Sequence, residues 1–166
     1  MYSAPDHTME TITNAVTLGR KGRPDDAREA LLAVWASLGP QGDPLHRCTL
    51  AHYLADLYDD AAEALTWDIR ALDAADSLSD DRARTFDESL RVAAFYPSLH
   101  LNLADAYRRL GSFEAAQRQI DAARTRLHAL ADDGYGAMIR TAVDEVESAI
   151  RERRTEPRAS APTGGR

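Results

Sequence analysis

A five-residue string returns within this chain. Leu54-Ala55-Asp56-Leu57-Tyr58 recurs forty-nine residues later as Leu103-Ala104-Asp105-Ala106-Tyr107. Each copy is followed, after a short turn, by a segment carrying Ala at a fixed place. After the second copy this reads Leu110-Gly111-Ser112-Phe113-Glu114-Ala115-Ala116, then Ile120 and Ala123. Recurrence of a paired segment at a fixed offset means that one supersecondary unit is used repeatedly and buries its apolar face against its neighbours. That restricts the chain to repeat architectures.

The units are helical. Apolar positions step by three and four along Ala27, Leu31, Val34, Leu38, along Phe113, Ala116, Ile120, Ala123, Leu127, Leu130, and along Ile139, Val143, Val146, Ile150. Such stripes turn one helix face inward and leave the other wet. With aromatics at 7% and few β-branched residues, composition also favours helix over sheet. Pro24 and Pro44 stand where a first helical residue belongs. Asp60 with Glu63 has the spacing of a capping box, and Ser79 and Ser112 suit an N-cap. Gly22, Gly39, Gly111 and Gly134 each follow a stripe, as a left-handed C-terminal residue does. The pattern predicts helices near 7–20, 24–38, 44–58, 61–78, 80–94, 97–110, 112–131 and 136–153. Pro97 either opens a separate helix or kinks one long helix from about 80 to 110, and the second reading is preferred. One helical domain over 1–154 is expected, with residues 155–166, rich in Pro, Gly, Ser and Arg, as a disordered tail.

The last unit resembles the tetratricopeptide repeat. Leu103, Ala104, Tyr107, Gly111, Phe113, Ala116, Ile120 and Ala123 follow that family's pattern in order and spacing. Leu18, Gly22, Pro24, Ala27, Leu31 and Val34 match a first, degenerate unit, and Leu54, Ala55, Tyr58, Ala64 and Ala71 a middle one. The first-turn alanines Ala27, Ala64 and Ala116 are 37 and 52 residues apart, against the usual spacing of about 34. The resemblance implies an all-α, right-handed α-solenoid of about three helix pairs plus a C-terminal capping helix at 136–153. Phe95-Tyr96-Pro97-Ser98-Leu99-His100 and Asp132-Asp133-Gly134-Tyr135-Gly136 also look like stretches of stand-alone actinobacterial repeat proteins. The use of Arg at nineteen of twenty basic positions fits a GC-rich genome of that kind.

In such folds the first helices of each pair line a concave face that takes peptides or partner helices. The resemblance places His52, Tyr53 and Asp56, with Asp59 and Asp60, on that face in the middle unit. In the last unit it places Leu101, Asn102, Asp105, Arg108 and Arg109 there. Asn102 stands where chaperone-type repeats hold a C-terminal carboxylate. Leu101 and Asp105 replace the basic residue and Asn that such a clamp needs, and Asp105 repels a carboxylate. A basic or mixed peptide suits this face better. The plainer alternative is that these side chains are solvated or serve only helix packing.

The net charge is −7, and residues 56–88 hold eleven acids against three Arg. That disfavours nucleic acid as a partner; the run could attract a basic partner or could be a wet helix face. The segment Arg151 to Arg158 is basic but short, contains Glu152 and Glu156, and lacks aromatics for base stacking. No apolar run approaches the length of a membrane span. A single cysteine, Cys48, precludes an internal disulfide and suits the cytoplasm. The five histidines show no metal-ligand spacing, no phosphate loop or nucleophile elbow is present, and no cofactor is expected. The expectation is a non-enzymatic adaptor that binds another protein or peptide. The alternative is a structural protein that self-associates as a homodimer.

Overall fold

A computed structural model describes residues 5–79 and 86–159, with side chains described for 5–78 and 92–159. It is all-helical. Among the described residues there are seven α-helices: α1 (His7–Arg20), α2 (Pro24–Leu38), α3 (Pro44–Ala55), α4 (Ala61–Ser79), α5 (Phe86–Arg109), α6 (Phe113–Arg124) and α7 (Gly134–Arg151). A 3-10 turn, Leu127–Ala129, lies between α6 and α7. No helix among the described residues is long and apolar enough to cross a membrane.

Local chemistry sets the helix ends. Asp43 accepts from the Leu45 and His46 amides at 2.8 and 3.2 Å, and Pro44 follows as the first helical residue of α3. Asp60 accepts from Ala62 and Glu63 at 2.8 and 3.0 Å and so starts α4. Asp133 does the same for α7 through the Gly136 amide, 2.8 Å away. Gly22 and Gly111 take φ of 80° and 76° and close α1 and α5 in the same way. In each, the residue after Gly donates to a carbonyl five positions back, Arg23 to Leu18 and Ser112 to Tyr107. The turns after the first and fifth helices are therefore the same device, 89 residues apart.

Several expectations need adjustment. Gly134 is the first residue of α7 and ends nothing. Ser112 precedes α6 without a side-chain cap bond, and the side chain of Ser79 lies outside the described residues. The helix expected over 112–131 stops at Arg124, where Thr125 Oγ1 and Arg126 Nη1 both donate to the Ala122 carbonyl. Residues 80–94 and 97–110 belong to one helix as far as they are described, since α5 runs through Pro97.

Helices pack in chain order. α1 lies on α2, α3 on α4, and α5 on α6; α3 touches both α1 and α2, α4 touches α5, and α7 closes against α5 and α6. Two apolar clusters result. The first joins Ile12, Leu31, Leu50, Leu54, Trp67, Ala71 and Leu78 with Val92 and Leu99 of α5. The second joins Leu101 and Ala104 of α5 with Phe113, Ala116, Ile120, Val143, Val146 and Ile150. Ala27, Ala104 and Ala116 have no exposed surface, so helices cross closely at these small side chains. Trp35 and Trp67 meet edge to face at 5.1 Å between centroids, and Arg47 and Arg70 cover them at 4.1 and 4.3 Å.

Candidate functional site

The repeat puts Asp56 and Asp105 at equivalent positions, and the fold brings both to one acidic face where α3, α4 and α5 meet. Asp56 is the residue that ends α3, one turn after His52. A negative charge at a helix C-terminus opposes the helix dipole. Burial pushes the Asp56 carboxyl up to about 6, although the Arg158 guanidinium nearby pulls it down. Asp68 of α4 is only 3% exposed. Burial first, and then the Asp56 and Asp105 carboxylates, hold it well above the usual carboxylate range. Its one polar contact among the described residues is weak, from Asn102 Nδ2 at 3.4 Å. His52 sits on the same side of α3 as Asp56. Burial draws its imidazole down to about 4, and its Nδ1 is enclosed without a hydrogen-bond partner among the described residues.

Arg108 is the largest fully buried side chain among the described residues, at 1% exposure. Its guanidinium donates to Asp105 Oδ1 from Nη2 and Nε at 2.7 and 3.1 Å. It also donates to two backbone carbonyls, Nη1 to Arg154 at 2.6 Å and Nη2 to Glu156 at 2.9 Å. These carbonyls reach α5 because the chain reverses after α7. Arg153 has φ of 53°, and Arg154 N–H donates to the Ala149 carbonyl at 2.9 Å. Of the segment 155–166, expected to lack fixed structure, the Glu156 carbonyl and the Arg158 side chain meet α5, residues 155–157 and 159 are exposed, and 160–166 are outside the described residues. Arg158 then approaches Asp105 at 3.7 Å and Glu145 of α7 at 3.2 Å.

The expected site residues divide. Asp56, Asn102, Asp105 and Arg108 come together around Asp68, and His52 lies one turn before Asp56 on α3. Leu101 is buried in the second apolar cluster and Tyr53 packs on the first, so both serve the core. Arg109 turns aside and donates to the Asp59 carbonyl at 2.6 Å, tying α5 to the turn after α3. Sequence reasoning missed Asp68, Glu145 and Arg158. For Asp68 a signal existed: it falls on the stripe Ala64, Trp67, Ala71, Ala75, where an acid is out of place.

Other groups are less promising. Cys48 has no exposed surface, and burial pushes its thiol up to about 12, far from a working nucleophile. His100 is buried with Nδ1 2.8 Å from Gln119, which suits packing. Among the described residues no three His, Cys, Asp or Glu side chains are grouped to hold a metal ion. A cleft between Pro40, Arg47, Arg70, Asp73, Ala74 and Ser77 has a volume of about 170 Å³, below the roughly 300 Å³ at which ligand pockets begin. No family model matches the chain, and neither a curated protein nor a solved structure does.

Proposed function

We propose that the chain is a repeat protein of the tetratricopeptide type. In this reading α1–α2, α3–α4 and α5–α6 are three stacked pairs capped by α7. It works without catalysis, as an adaptor that holds a basic peptide segment of another protein on the acidic face of α3, α4 and α5. The order of helix contacts, the buried first-turn alanines of α2, α4 and α6, and the matching turns at Gly22 and Gly111 support the repeat reading.

One observation carries the peptide reading. Asp68 is a carboxyl group taken out of water and Asp56 one that is half-buried, with no basic side chain in ion-pair contact with either among the described residues. Burying an unpaired carboxylate costs several kcal/mol in round terms. Burial here lowers that cost by favouring the neutral acid, and the Arg or Lys of a bound peptide is a cation that favours the charged form. Acidic chaperone tails do not fit, because their carboxylates meet like charge here.

Selection of displayed random peptides on the immobilised protein tests this. Enrichment of Arg- or Lys-containing peptides is expected, with binding weakened by about tenfold in Asp56→Asn and in Asp68→Asn. Enrichment of acidic peptides, or no enrichment at all, contradicts it.

A further inference from the structure

We propose that the acidic face reads an arginine-bearing peptide, and that residues 154–158 of this chain are its resident ligand, which an incoming peptide displaces. The proposal rests on the acidic face being a peptide site, and it adds what that site recognises and what holds it closed. Three features of the segment carry it.

The first is the backbone. Carbonyls two residues apart, those of Arg154 and Glu156, both accept from the single guanidinium of Arg108. The chain bends at Glu156, and a buried fork of donors that holds two carbonyls reads backbone and no particular side chain. Pro157 fits the same reading. It brings no N–H that would need a partner.

The second is the side chain. Arg158 comes two residues after the second carbonyl and enters between Asp105 and Glu145, with its side chain 13% exposed. Its charge also reaches Asp56. Backbone carbonyls at two positions and a cation beyond them amount to a register that a foreign peptide can reproduce.

The third is the looseness of the fit. Arg158 stands 3.7 Å from Asp105, and its enclosed Nε has no hydrogen-bond partner among the described residues. Asp56 and Asp68 stay without an ion pair among the described residues. A ligand that leaves two acids unpaired and one of its own donors unmet is one that a better-placed cation replaces.

The test uses the full chain and a fluorescein-labelled peptide copying residues 152–159. Arg158→Gln keeps the side-chain stem and removes the charge, so the acid site is vacated without cutting the chain. The peptide should bind this variant about tenfold more tightly than it binds the unaltered protein. A peptide with Ala in place of its last Arg should lose that gain. In the unaltered protein, excess peptide should speed amide hydrogen exchange over residues 153–159, a readout that needs no variant. Equal affinity for both proteins, or for both peptides, overturns the proposal, as does exchange that the peptide leaves unchanged. If a mixed library of arginine-containing peptides binds both proteins equally while the tail peptide does not, the peptide site stands and its occupation by the tail falls. If nothing binds either protein, both readings fall.

Discussion

Arg108 and Asp105, one turn apart on α5, form an ion pair in which the guanidinium is fully buried and the carboxylate largely so, with Nη2 to Oδ1 at 2.7 Å. The pair fixes the fork that receives the Arg154 and Glu156 carbonyls. Removing the acid leaves a positive charge in the interior with only neutral partners. Asp105→Ala should therefore destabilise the fold by about 3 kcal/mol in urea unfolding. Arg108→Met should cost less, because the Asp105 carboxylate that it leaves still has Arg158 at 3.7 Å and water reaches the exposed residues 154 and 156. A loss under about 1 kcal/mol for Asp105→Ala contradicts the assignment.

Asp56 gives an opposite expectation. Its carboxyl rises from 3.8 to about 6 in the folded chain, so its contribution to stability is complete below pH 3.8 and is lost as pH climbs through 6. Asp56→Asn should be more stable than the parent by about 1–3 kcal/mol at pH 7.5. That advantage should fade to nothing near pH 4. Denaturation curves at a series of pH values check both the sign and the window.

His52 titrates over a similar range with the other sign. Its imidazole falls from 6.5 to about 4 on burial. The unfolded chain then binds the proton first, and stability declines as pH drops from 6.5 to 4. His52→Phe should blunt that decline by about 2 kcal/mol. An acid-unfolding midpoint that does not move in this variant would show that the ring is not buried as described.

Cys48 reports on unfolding. With the thiol enclosed and its pKa pushed up to about 12, iodoacetamide at pH 8 should label the native chain slowly and the urea-unfolded chain at the rate of a free thiol. Labelling of the native protein at the unfolded rate would contradict the packing of α3.

Two glycines separate backbone strain from crowding. A Cβ at Gly111 meets nothing within 4 Å, yet φ is 76°. Gly111→Ala should therefore cost about 1 kcal/mol through conformation alone. Gly134 is also uncrowded but begins a helix, so Gly134→Ala should be neutral or stabilising by about 0.5 kcal/mol. Thermal melts of the two variants should move in opposite directions, or the second should not move at all.

The helices were legible because their ends are written in side chains. Pro24, Pro44, Asp60, Gly22 and Gly111 all act where their chemistry places them, and α1 and α2 span the predicted residues. The continuation of α5 through Pro97 could be anticipated because apolar spacing persists on both sides of the proline. Half of the site was readable through the repeat, which equates Asp56 with Asp105. The rest was not, since it arises from long-range approach: Arg158 reaches Asp105 across more than fifty residues. That approach depends on a left-handed Arg153, a conformation that Arg does not announce. Leu101 shows the converse failure, because register alone cannot distinguish a groove position from a core one at the edge of a helix stripe.

Helix α5 lends Val92 and Leu99 to one apolar cluster and Leu101 and Ala104 to the other. Neither half of the molecule can therefore melt while leaving the other's interior whole. Heat should dismantle the chain in one cooperative step, with α5 as the member whose loss is felt at both ends.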